Sequence, residues 1–216
     1  SHGYNSKGAA MILAIDIGNT NIVLGCADSD RILFRERLAT VQRETSLEYA
    51  VKIKAALDIN GINRTQISGA VISSVVPSVT NTVKAAAEKL IDRKIMIVGP
   101  GIKTGLKIKT ENPKQVGADR IVDAVAAYTL HGGPVIVIDY GTATTYDVVG
   151  ADGTFEAAVI APGIRTSAQA MWNQAAMLPA VEIKKPESIL AKETISCMQA
   201  GIVFGQIGQT EYIVKK

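Results

Sequence analysis

The sequence MILAIDIGNTNIVLGCAD, Met11 to Asp28, decides how the first half of the chain folds. It begins with a short apolar run, which is typical of a strand buried on both faces. Asp16 stands at the end of this run, and a turn through Gly18 to Asn21 separates it from a second apolar run. A strand, a tight turn of small polar residues and a second strand together predict a β-hairpin.

The tip of this first hairpin has the composition of an anion-binding turn. Its backbone N–H groups and short polar side chains suit a phosphate chain. A carboxylate beside phosphates is unfavourable unless a cation separates them, so Asp16 implies a bound Mg²⁺, reached through water. A purely structural turn is the alternative, because many hairpins carry Gly and Asn only for their backbone conformation. The candidate phosphate ligands here are Asp16, Ile17, Gly18, Asn19, Thr20 and Asn21.

A second stretch, VIVIDYGTATTYDVV from Val135 to Val149, repeats the pattern. Asp139 follows Asp16 by 123 residues, and Gly141 follows Gly18 by the same interval. A period of this length indicates a duplicated domain rather than a solenoid. Two lobes that face each other across a cleft would hold the phosphates of a nucleotide from both sides. The candidate phosphate ligands in this second hairpin are Gly141, Thr142 and Thr144.

The paired hairpins resemble the two phosphate motifs of the superfamily that contains acetate and sugar kinases, Hsp70 and actin. The strings NPKQVGADRIVDAVAAY, DYGTATTYDVV, IAPGI and MQAGIVFG closely resemble those of type III pantothenate kinases. The resemblance extends from Met11 to the last residue. It implies an α/β fold with two ribonuclease-H-like lobes, at residues 11–115 and 116–216, each a mixed sheet flanked by helices, with the second lobe incomplete at its C-terminus.

The resemblance also implies an activity, the ATP-dependent phosphorylation of pantothenate to 4'-phosphopantothenate in coenzyme A biosynthesis. In the GADR string, Asp119 would take the proton of the attacking hydroxyl, and Arg120 would pair with the substrate's carboxylate. Taken alone, Asp119 is best explained as an acidic residue that complements the helix dipole, but Arg120 at the same helix end is unfavourable there and indicates a bound anion. The implied pantothenate ligands are Gly117, Ala118, Asp119, Arg120 and Thr194.

Two of the implied roles concern ions and a partner subunit. Asp139 resembles the residue that binds a monovalent cation, K⁺ or NH₄⁺, while Asp16 would hold Mg²⁺ or a similar divalent cation. Thr194, in the string KETI, would contact pantothenate from the other subunit of a homodimer. Thr194 is equally suited to cap the final helix, with Ser196 nearby.

Three features depart from the family's pattern. Glu156-Ala157-Ala158 occupies a stretch where the family usually has a Gly pair, so two methyl groups are added where backbone approaches the nucleotide. Thr110 stands where relatives often carry an aromatic residue that lines the substrate pocket. If each copy spans the roughly 123 residues of the repeat interval, the second would continue for roughly 30 to 40 residues past Lys216. In the superfamily, that tail carries the adenosine-binding Gly pair.

Two other functional classes are compatible with these features. A phosphohydrolase of the same superfamily would use the hairpins to orient water on a phosphoanhydride. A catalytically silent paralogue would act as a regulatory or binding protein, which the Ala157-Ala158 pair and the short tail favour. The retention of Asp16, Asp119 and Asp139 argues against a silent paralogue, because such a protein has no need of three carboxylates beside phosphate sites.

Composition agrees with a soluble, cytoplasmic enzyme. The 216 residues are 47% apolar and 20% charged, which is ordinary for a globular protein. A net charge of +3 is too small to indicate nucleic-acid binding, and no apolar run approaches the roughly 20 residues of a membrane helix. Cys26 and Cys197 lie in apolar segments and are predicted to be buried, reduced thiols. Residues 1–10 look like a tag remnant before a natural start at Met11.

Local patterns predict the remaining elements. Strands are expected at residues 31–38, 70–76, 94–98 and 155–159, and helices at 45–60, 116–131, 166–178 and from Thr194 onward. The helix at 116–131 is expected to be mostly buried. Trp172 is expected to pack in a core or at a subunit contact. Gly201, Gly205 and Gly208 fall on one side of the last helix, which indicates a close approach across that face.

Overall fold

The computed structural model describes residues 10–99 and 102–216. The predicted tag remnant therefore lies outside the described residues, apart from Ala10. The chain divides into two compact units. The first contains the described residues up to Thr104 together with 112–123, and the second contains 105–111 and 124–216.

The first unit is built on a five-stranded mixed sheet in the order β3-β2-β1-β4-β5. β2 runs antiparallel to β1 and β3, whereas β4 is parallel to β1 and β5 is parallel to β4. This is the strand order of a ribonuclease-H-like lobe, which confirms the predicted α/β class with a mixed sheet. The strands are β1 (Met11–Ile17), β2 (Asn21–Ala27), β3 (Ile32–Ala39), β4 (Ile67–Ser74) and β5 (Ile95–Ile97).

Only one face of β1 belongs to the hydrophobic core, so the prediction that both faces are buried is wrong. Leu13, Ile15 and Ile17 are almost completely buried, whereas Ile12 is 41% exposed and Ala14 is exposed. The core is completed by α1 (Ser46–Ile59) and α2 (Pro77–Glu88), which contribute to the same apolar cluster. The residues from Met11 to Ile15 are all apolar, so the sequence does not reveal that they alternate between a buried and an exposed face. Ala14 contributes to this because alanine is tolerated on either face.

Helix α1 begins with a capping box, which the spacing of Thr45 and Glu48 in the sequence predicts. The side chain of Thr45 accepts a hydrogen bond from the N–H of Glu48, and Oε2 of Glu48 accepts one from the N–H of Thr45 at 2.7 Å. The two hydrogen bonds from Thr45 lower the pKa of the Glu48 carboxyl. Two orphan donors at the helix start are thereby satisfied.

The second unit contains a four-stranded sheet in the order β6-β9-β8-β7. β7 (Val135–Tyr140), β8 (Ala143–Val149) and β9 (Thr154–Pro162) form an antiparallel series, as β1, β2 and β3 do in the first unit. The fourth strand, β6 (Lys107–Ile108), pairs parallel to β9. β6 was not predicted, because two residues within a Gly- and Pro-rich stretch carry no period.

Three helices complete the described chain: α3 (Ala118–His131), α4 (Ile164–Gln174) and α5 (Thr194–Val214). α4 begins two residues earlier than predicted, because Gly163 occupies the cap position, and it ends at Gln174 because Ala175 has an extended backbone. Trp172 packs against a cluster of Ala168, Val181, Met198 and Ile202, as expected for core packing. The burial expected for α3 holds for Ala118, Ile121 and Ala124 but not for its last turn.

The two cysteines differ. Cys26 is fully buried on β2, and burial, followed by the charge of Asp28, raises the pKa of its thiol. Cys197 is exposed, so the prediction that it is buried is wrong. The error has a physical cause, since α5 is apolar over most of its circumference and the apolar neighbours of Cys197 in the sequence do not reveal which side faces the core.

The glycines of α5 are not closely approached within the described chain. Apart from the backbone of α5 itself and the chain neighbours of each glycine, no atom of the described residues lies within 4 Å of the position that a Cβ would occupy at Gly201, Gly205 or Gly208. α5 is instead held to the sheet by polar contacts, because the buried Tyr146 hydroxyl lies 2.9 Å from Oγ1 of Thr210. None of the helices in the described residues combines the length and apolarity needed to cross a membrane.

We expect Thr45→Ala to destabilise the first unit by about 1 kcal/mol, because the substitution removes the side-chain acceptor of the capping box. Urea unfolding followed by circular dichroism measures this change. Ser46→Ala is the matched control, since Ser46 lies inside the same helix rather than at its cap position. Equal unfolding midpoints for Thr45→Ala and the parent would contradict the prediction.

Candidate functional site

The tip of the first hairpin lies between the end of β1 and the start of β2. It is closed by a hydrogen bond from the N–H of Gly18 to the carbonyl of Asn21 at 2.9 Å. A Cβ at Gly18 would stand 3.1 Å from that carbonyl, so the turn has little room for a side chain. Asn19 and Thr20 are exposed, as a ligand-binding tip requires.

Asp16 and Ser73 are two polar residues that lie side by side next to this tip. They are register neighbours on the parallel strands β1 and β4, so their side chains project from the same face of the sheet. Asp16 is half-buried and Ser73 is 6% exposed. The Ser73 hydroxyl makes no hydrogen bond within the described residues. A buried hydroxyl without a partner costs roughly 1–3 kcal/mol, so this position favours a polar ligand.

The GADR string reaches the same end of the first sheet. Ile17, the last residue of β1, accepts a hydrogen bond from the N–H of Val75 at 3.0 Å. The Cγ1 atom of Val75 lies 3.5 Å from the position of a Cβ at Gly117. The first hairpin and the start of α3 therefore meet through Val75, which places Gly117 and Ala118 beside the carboxyl ends of β1 and β4.

The carboxylate of Asp119 folds back over the start of its own helix. Its Oδ1 accepts a hydrogen bond from the N–H of Arg120 at 2.8 Å and lies 2.5 Å from where a Cβ would stand at Gly117. Any side chain at position 117 would displace this carboxylate. Asp119 and Arg120 are both half-buried, so they combine a partly dry environment with access for a ligand.

The second hairpin has a tip of the same kind. The N–H of Gly141 donates to the carbonyl of Ala143 at 3.0 Å, and Asp139 stands near the end of β7. The carbonyl of Thr142 accepts two further hydrogen bonds, from the N–H of Gly163 at 3.0 Å and from Oγ1 of Thr166 at 2.7 Å. A Cβ at Gly163 would stand 2.2 Å from the carbonyl of Gly141, so only glycine fits there.

Two buried hydroxyls lie on the strand that follows this tip. Thr144 is fully buried and Thr145 is 9% exposed, and neither Oγ1 has a hydrogen-bond partner within the described residues. Thr145 pairs with Asp139 across β7 and β8, so the two side chains share one face of the sheet. Asp147, two residues further along this face, is 1% exposed.

Thr194 is exposed and is the first residue of α5. The cap position belongs to Glu193, whose side chain makes no cap hydrogen bond. Ser196 donates instead to the carbonyl of Glu193 at 3.1 Å. The interpretation of Thr194 as the helix cap is therefore wrong, and its exposed side chain is left for another contact.

The structure brings part of the predicted site together. The first hairpin, Ser73 and the start of α3 through Asp119 and Arg120 belong to one compact unit. The second hairpin and Thr194 belong to the other unit. A shared phosphate site formed by both hairpins stays a prediction.

Comparison with known proteins gives the family. The family model described as type III pantothenate kinase matches residues 12–216. A type III pantothenate kinase from Agathobacter rectalis is 54% identical over 206 residues, which cover 95% of this chain and 79% of the relative. The chain belongs to the type III pantothenate kinase family. The resemblance carried by the hairpins and the GADR string is thereby confirmed.

Solved structures are similar at a lower level. The ethanolamine utilization protein EutJ from Carboxydothermus hydrogenoformans is 16% identical, with a TM-score of 0.48 over 95% of this chain and 70% of that one. Component A of the (R)-2-hydroxyglutaryl-CoA dehydratase from Acidaminococcus fermentans is 14% identical, with a TM-score of 0.46 over 94% of this chain and 70% of that one.

Four residues around the hairpins were not predicted from the sequence to belong to the site: Thr40, Ser73, Thr145 and Gly163. One signal was available, because Gly163 follows Thr40 by the same 123 residues that separate the two aspartates. Extending the repeat from the hairpins to the residues after the third strand would have found both. Ser73 gave no such signal, since its proximity to Asp16 arises only from strand pairing.

The oxygen donors of Asp16 and Ser73 suit a hard cation whose other ligands come mainly from the phosphates of a nucleotide. Among the residues described, no group of three or more His, Cys, Asp or Glu side chains is placed to hold a metal ion. A divalent cation at Asp16 would therefore rely on one carboxylate, the Ser73 hydroxyl, phosphate oxygens and water. Mg²⁺ in phosphoryl-transfer sites is commonly bound in this way.

We expect Gly163→Ala to destabilise the second unit by about 2 kcal/mol or more, because the added methyl group would overlap the carbonyls of Gly141 and Thr142. Thermal unfolding of the purified variant measures the effect. Gly25→Ala is the matched control, since the nearest atom to a Cβ there is the Phe34 carbonyl oxygen at 3.7 Å, an ordinary contact. Similar melting temperatures for the two variants would contradict the prediction.

Proposed function

We propose that this chain transfers the γ-phosphoryl group of ATP to the terminal hydroxyl of pantothenate, the first step of coenzyme A biosynthesis. The observation that carries the proposal is the contact through Val75, which joins the acidic first hairpin to the GADR helix start within one unit. A phosphate-binding turn and a carboxylate at a helix start are the two parts that a small-molecule kinase needs at one place. Family membership supplies the substrate class.

In the proposed reaction, Asp119 orients the pantothenate hydroxyl and takes its proton. The hydroxyl oxygen forms a bond to the γ-phosphorus while the bond from that phosphorus to the β–γ bridging oxygen breaks, and ADP leaves. The hydrogen bond from the Arg120 N–H to Oδ1 fixes the carboxylate, so its other oxygen is available to the substrate. The reaction asks for positioning rather than covalent catalysis. Arg120 pairs with the pantothenate carboxylate, beside Gly117 and Ala118.

The hairpin tips bind the phosphates in this proposal. Backbone donors and short side chains from Gly18 to Asn21 hold one side, and Gly141, Thr142 and Thr144 hold the other. Asp16 and Ser73 would hold Mg²⁺, whose chemistry is to neutralise charge on the β- and γ-phosphates. The hydroxyl of Ser73, which has no partner among the described residues, supports an oxygen-liganded cation at this position.

The second acidic hairpin would hold the monovalent cation, K⁺ or NH₄⁺. Asp139 supplies the charge, and Thr145, directly across the sheet, supplies a hydroxyl that has no hydrogen-bond partner within the described residues. This donor set, one carboxylate and a hydroxyl, is the same as at Asp16, so the choice of a monovalent ion comes from the family resemblance.

The remaining assignments concern the assembly. We propose a cytoplasmic homodimer in which the exposed Thr194 of one subunit contacts pantothenate bound to the other. The accessibility of this side chain at the start of α5 supports the assignment. The lobe boundary between residues 115 and 116 stays a prediction, distinct from the division into compact units, of which the first includes residues 112–123.

We expect Asp119→Asn to lower kcat by about 10²–10⁴-fold, because an amide cannot accept the proton of the hydroxyl. ATP affinity, measured by calorimetry, should stay near that of the parent, since Asp119 does not contact the phosphates in the proposed arrangement. A coupled assay that follows ADP formation with pantothenate, Mg²⁺ and K⁺ measures turnover. Asp30→Asn, a change at an exposed turn of the same unit, is the matched control.

Two outcomes would count against this assignment. Turnover by Asp119→Asn equal to that of the parent would remove Asp119 from the chemistry. Phosphate release from ATP at the same rate with and without pantothenate would replace the kinase by a hydrolase of the superfamily.

We expect Asp139→Asn to raise the K⁺ concentration needed for half-maximal activity by about tenfold, because loss of the charge removes roughly 1.4 kcal/mol of attraction for the ion. Activity titrated with KCl at constant ionic strength measures this change. Glu187→Gln, at an exposed loop position, is the control for a lost negative charge. A parent enzyme that is equally active without K⁺ or NH₄⁺ would refute the role of Asp139.

A further inference from the structure

The residue that follows β3, Thr40, makes two hydrogen bonds to the tip of the first hairpin. Its backbone N–H donates to the carbonyl of Thr20 at 3.0 Å, and its Oγ1 donates to the carbonyl of Gly18 at 2.7 Å. Thr40 is half-buried, and the hydroxyl contact crosses 22 residues of sequence. Two carbonyls of the exposed tip, those of Gly18 and Thr20, are therefore occupied by a single residue.

These two contacts determine where the N–H groups of the tip point. In a trans peptide, the carbonyl of one residue and the N–H of the next lie in one plane and point in opposite directions. Because the carbonyls of Gly18 and Thr20 point toward Thr40, the N–H groups of Asn19 and Asn21 point away from it. Thr40 thus presents these two donors to a ligand and keeps the carbonyl oxygens of Gly18 and Thr20, which would repel phosphate, on the other side.

Thr40 is itself anchored to the core through the next residue. The hydroxyl of Tyr49 donates to the carbonyl of Val41 at 2.9 Å and accepts from the N–H of Val41 at 3.0 Å. Tyr49 is on α1 and is only 1% exposed, whereas Val41 is 37% exposed. Both backbone polar groups of Val41 are therefore bound by the hydroxyl of the buried Tyr49, although Val41 lies in a loop that faces solvent.

The second hairpin has an equivalent arrangement, which provides independent support. The carbonyl of Thr142 accepts from the N–H of Gly163 and from the hydroxyl of Thr166, at 3.0 and 2.7 Å. Gly163 follows β9, the counterpart of β3, and stands 123 residues after Thr40. In both copies the segment after the third strand donates to tip carbonyls, two of them in the first hairpin and one, that of Thr142, in the second.

We infer that Thr40 is a positioning residue that holds the first hairpin in its ATP-binding conformation, and that Tyr49 anchors Thr40. The inference rests on the proposed function, in which this tip binds the phosphates of ATP. Thr40 touches no substrate in this account. It acts through the peptides of the tip, so its loss should weaken ATP binding without affecting the binding of pantothenate.

The decisive comparison is Thr40→Val against Thr40→Ser. Valine keeps the shape and the backbone N–H contact but removes the hydroxyl, whereas serine keeps the hydroxyl. We expect Thr40→Val to raise KM and Kd for ATP by about threefold to tenfold, the effect of one hydrogen bond. The KM for pantothenate should stay within about twofold. Thr40→Ser should restore ATP affinity to near that of the parent.

Tyr49→Phe tests the anchor, with Tyr212→Phe as its matched control. Tyr212 is 65% exposed and lies at the end of α5. Tyr49→Phe should raise KM for ATP in the same direction as Thr40→Val. The double variant should raise it by less than the product of the two single effects, because both substitutions act through one tip. Tyr212→Phe should leave KM for ATP unchanged.

Each alternative result has a definite meaning. An unchanged ATP affinity in Thr40→Val would overturn the inference while leaving the kinase proposal intact. Parallel losses of ATP affinity, pantothenate affinity and melting temperature would also overturn it, because they would show a merely structural role. A parent chain that binds no ATP would overturn both, and a parent that binds ATP but does not phosphorylate pantothenate would remove only the proposed function.

Discussion

One backbone hydrogen bond, from the N–H of Val75 to the carbonyl of Ile17, is the contact on which the first candidate site depends. It continues the pairing of β1 with β4 one residue past the end of β4, and so places Val75 beside Gly117. Parallel strands bring their carboxyl ends to one edge of a sheet, where α/β proteins bind ligands. The carboxylate at the end of β1, the hydroxyl on β4 and the start of α3 are gathered at that edge because the strands are parallel and in this register.

The two hairpins share a feature that the proposed binding of phosphate at their tips would require. A peptide turn presents carbonyls as well as N–H groups, and carbonyl oxygens repel phosphate. In each hairpin a threonine hydroxyl from the segment after the third strand donates a hydrogen bond to a tip carbonyl, at 2.7 Å in both cases. A backbone N–H from the same segment occupies a tip carbonyl as well. The glycines and short polar residues of the tip allow this arrangement, but the direction of the donors is set by residues outside it.

Local features were predictable from the sequence, and long-range ones were not. The hairpins, the capping box at Thr45 and the start of α5 each follow from residues within a few positions of one another. The duplicated lobe follows from one interval of 123 residues. Ser73 could not be predicted beside Asp16, because only the register of two strands 57 residues apart brings them together. The exposure of Cys197 and the open face of β1 were mispredicted for a related reason, since an apolar run does not tell which of its faces a helix will cover.

The sheet geometry also limits the steric effect that the Ala157-Ala158 pair, which departs from the family's glycines, can have on nucleotide binding. Successive strand residues point to opposite faces, so only one of the two added methyl groups lies on the face that carries Asp139 and Thr145. The register identifies it as Ala158, because Ile160, two residues on, pairs with Thr145. Residues 156–160 are all exposed within the described chain, so that methyl group has free space in front of it. The substitution adds bulk at one position rather than two, and it gives little reason to prefer a silent paralogue over a kinase.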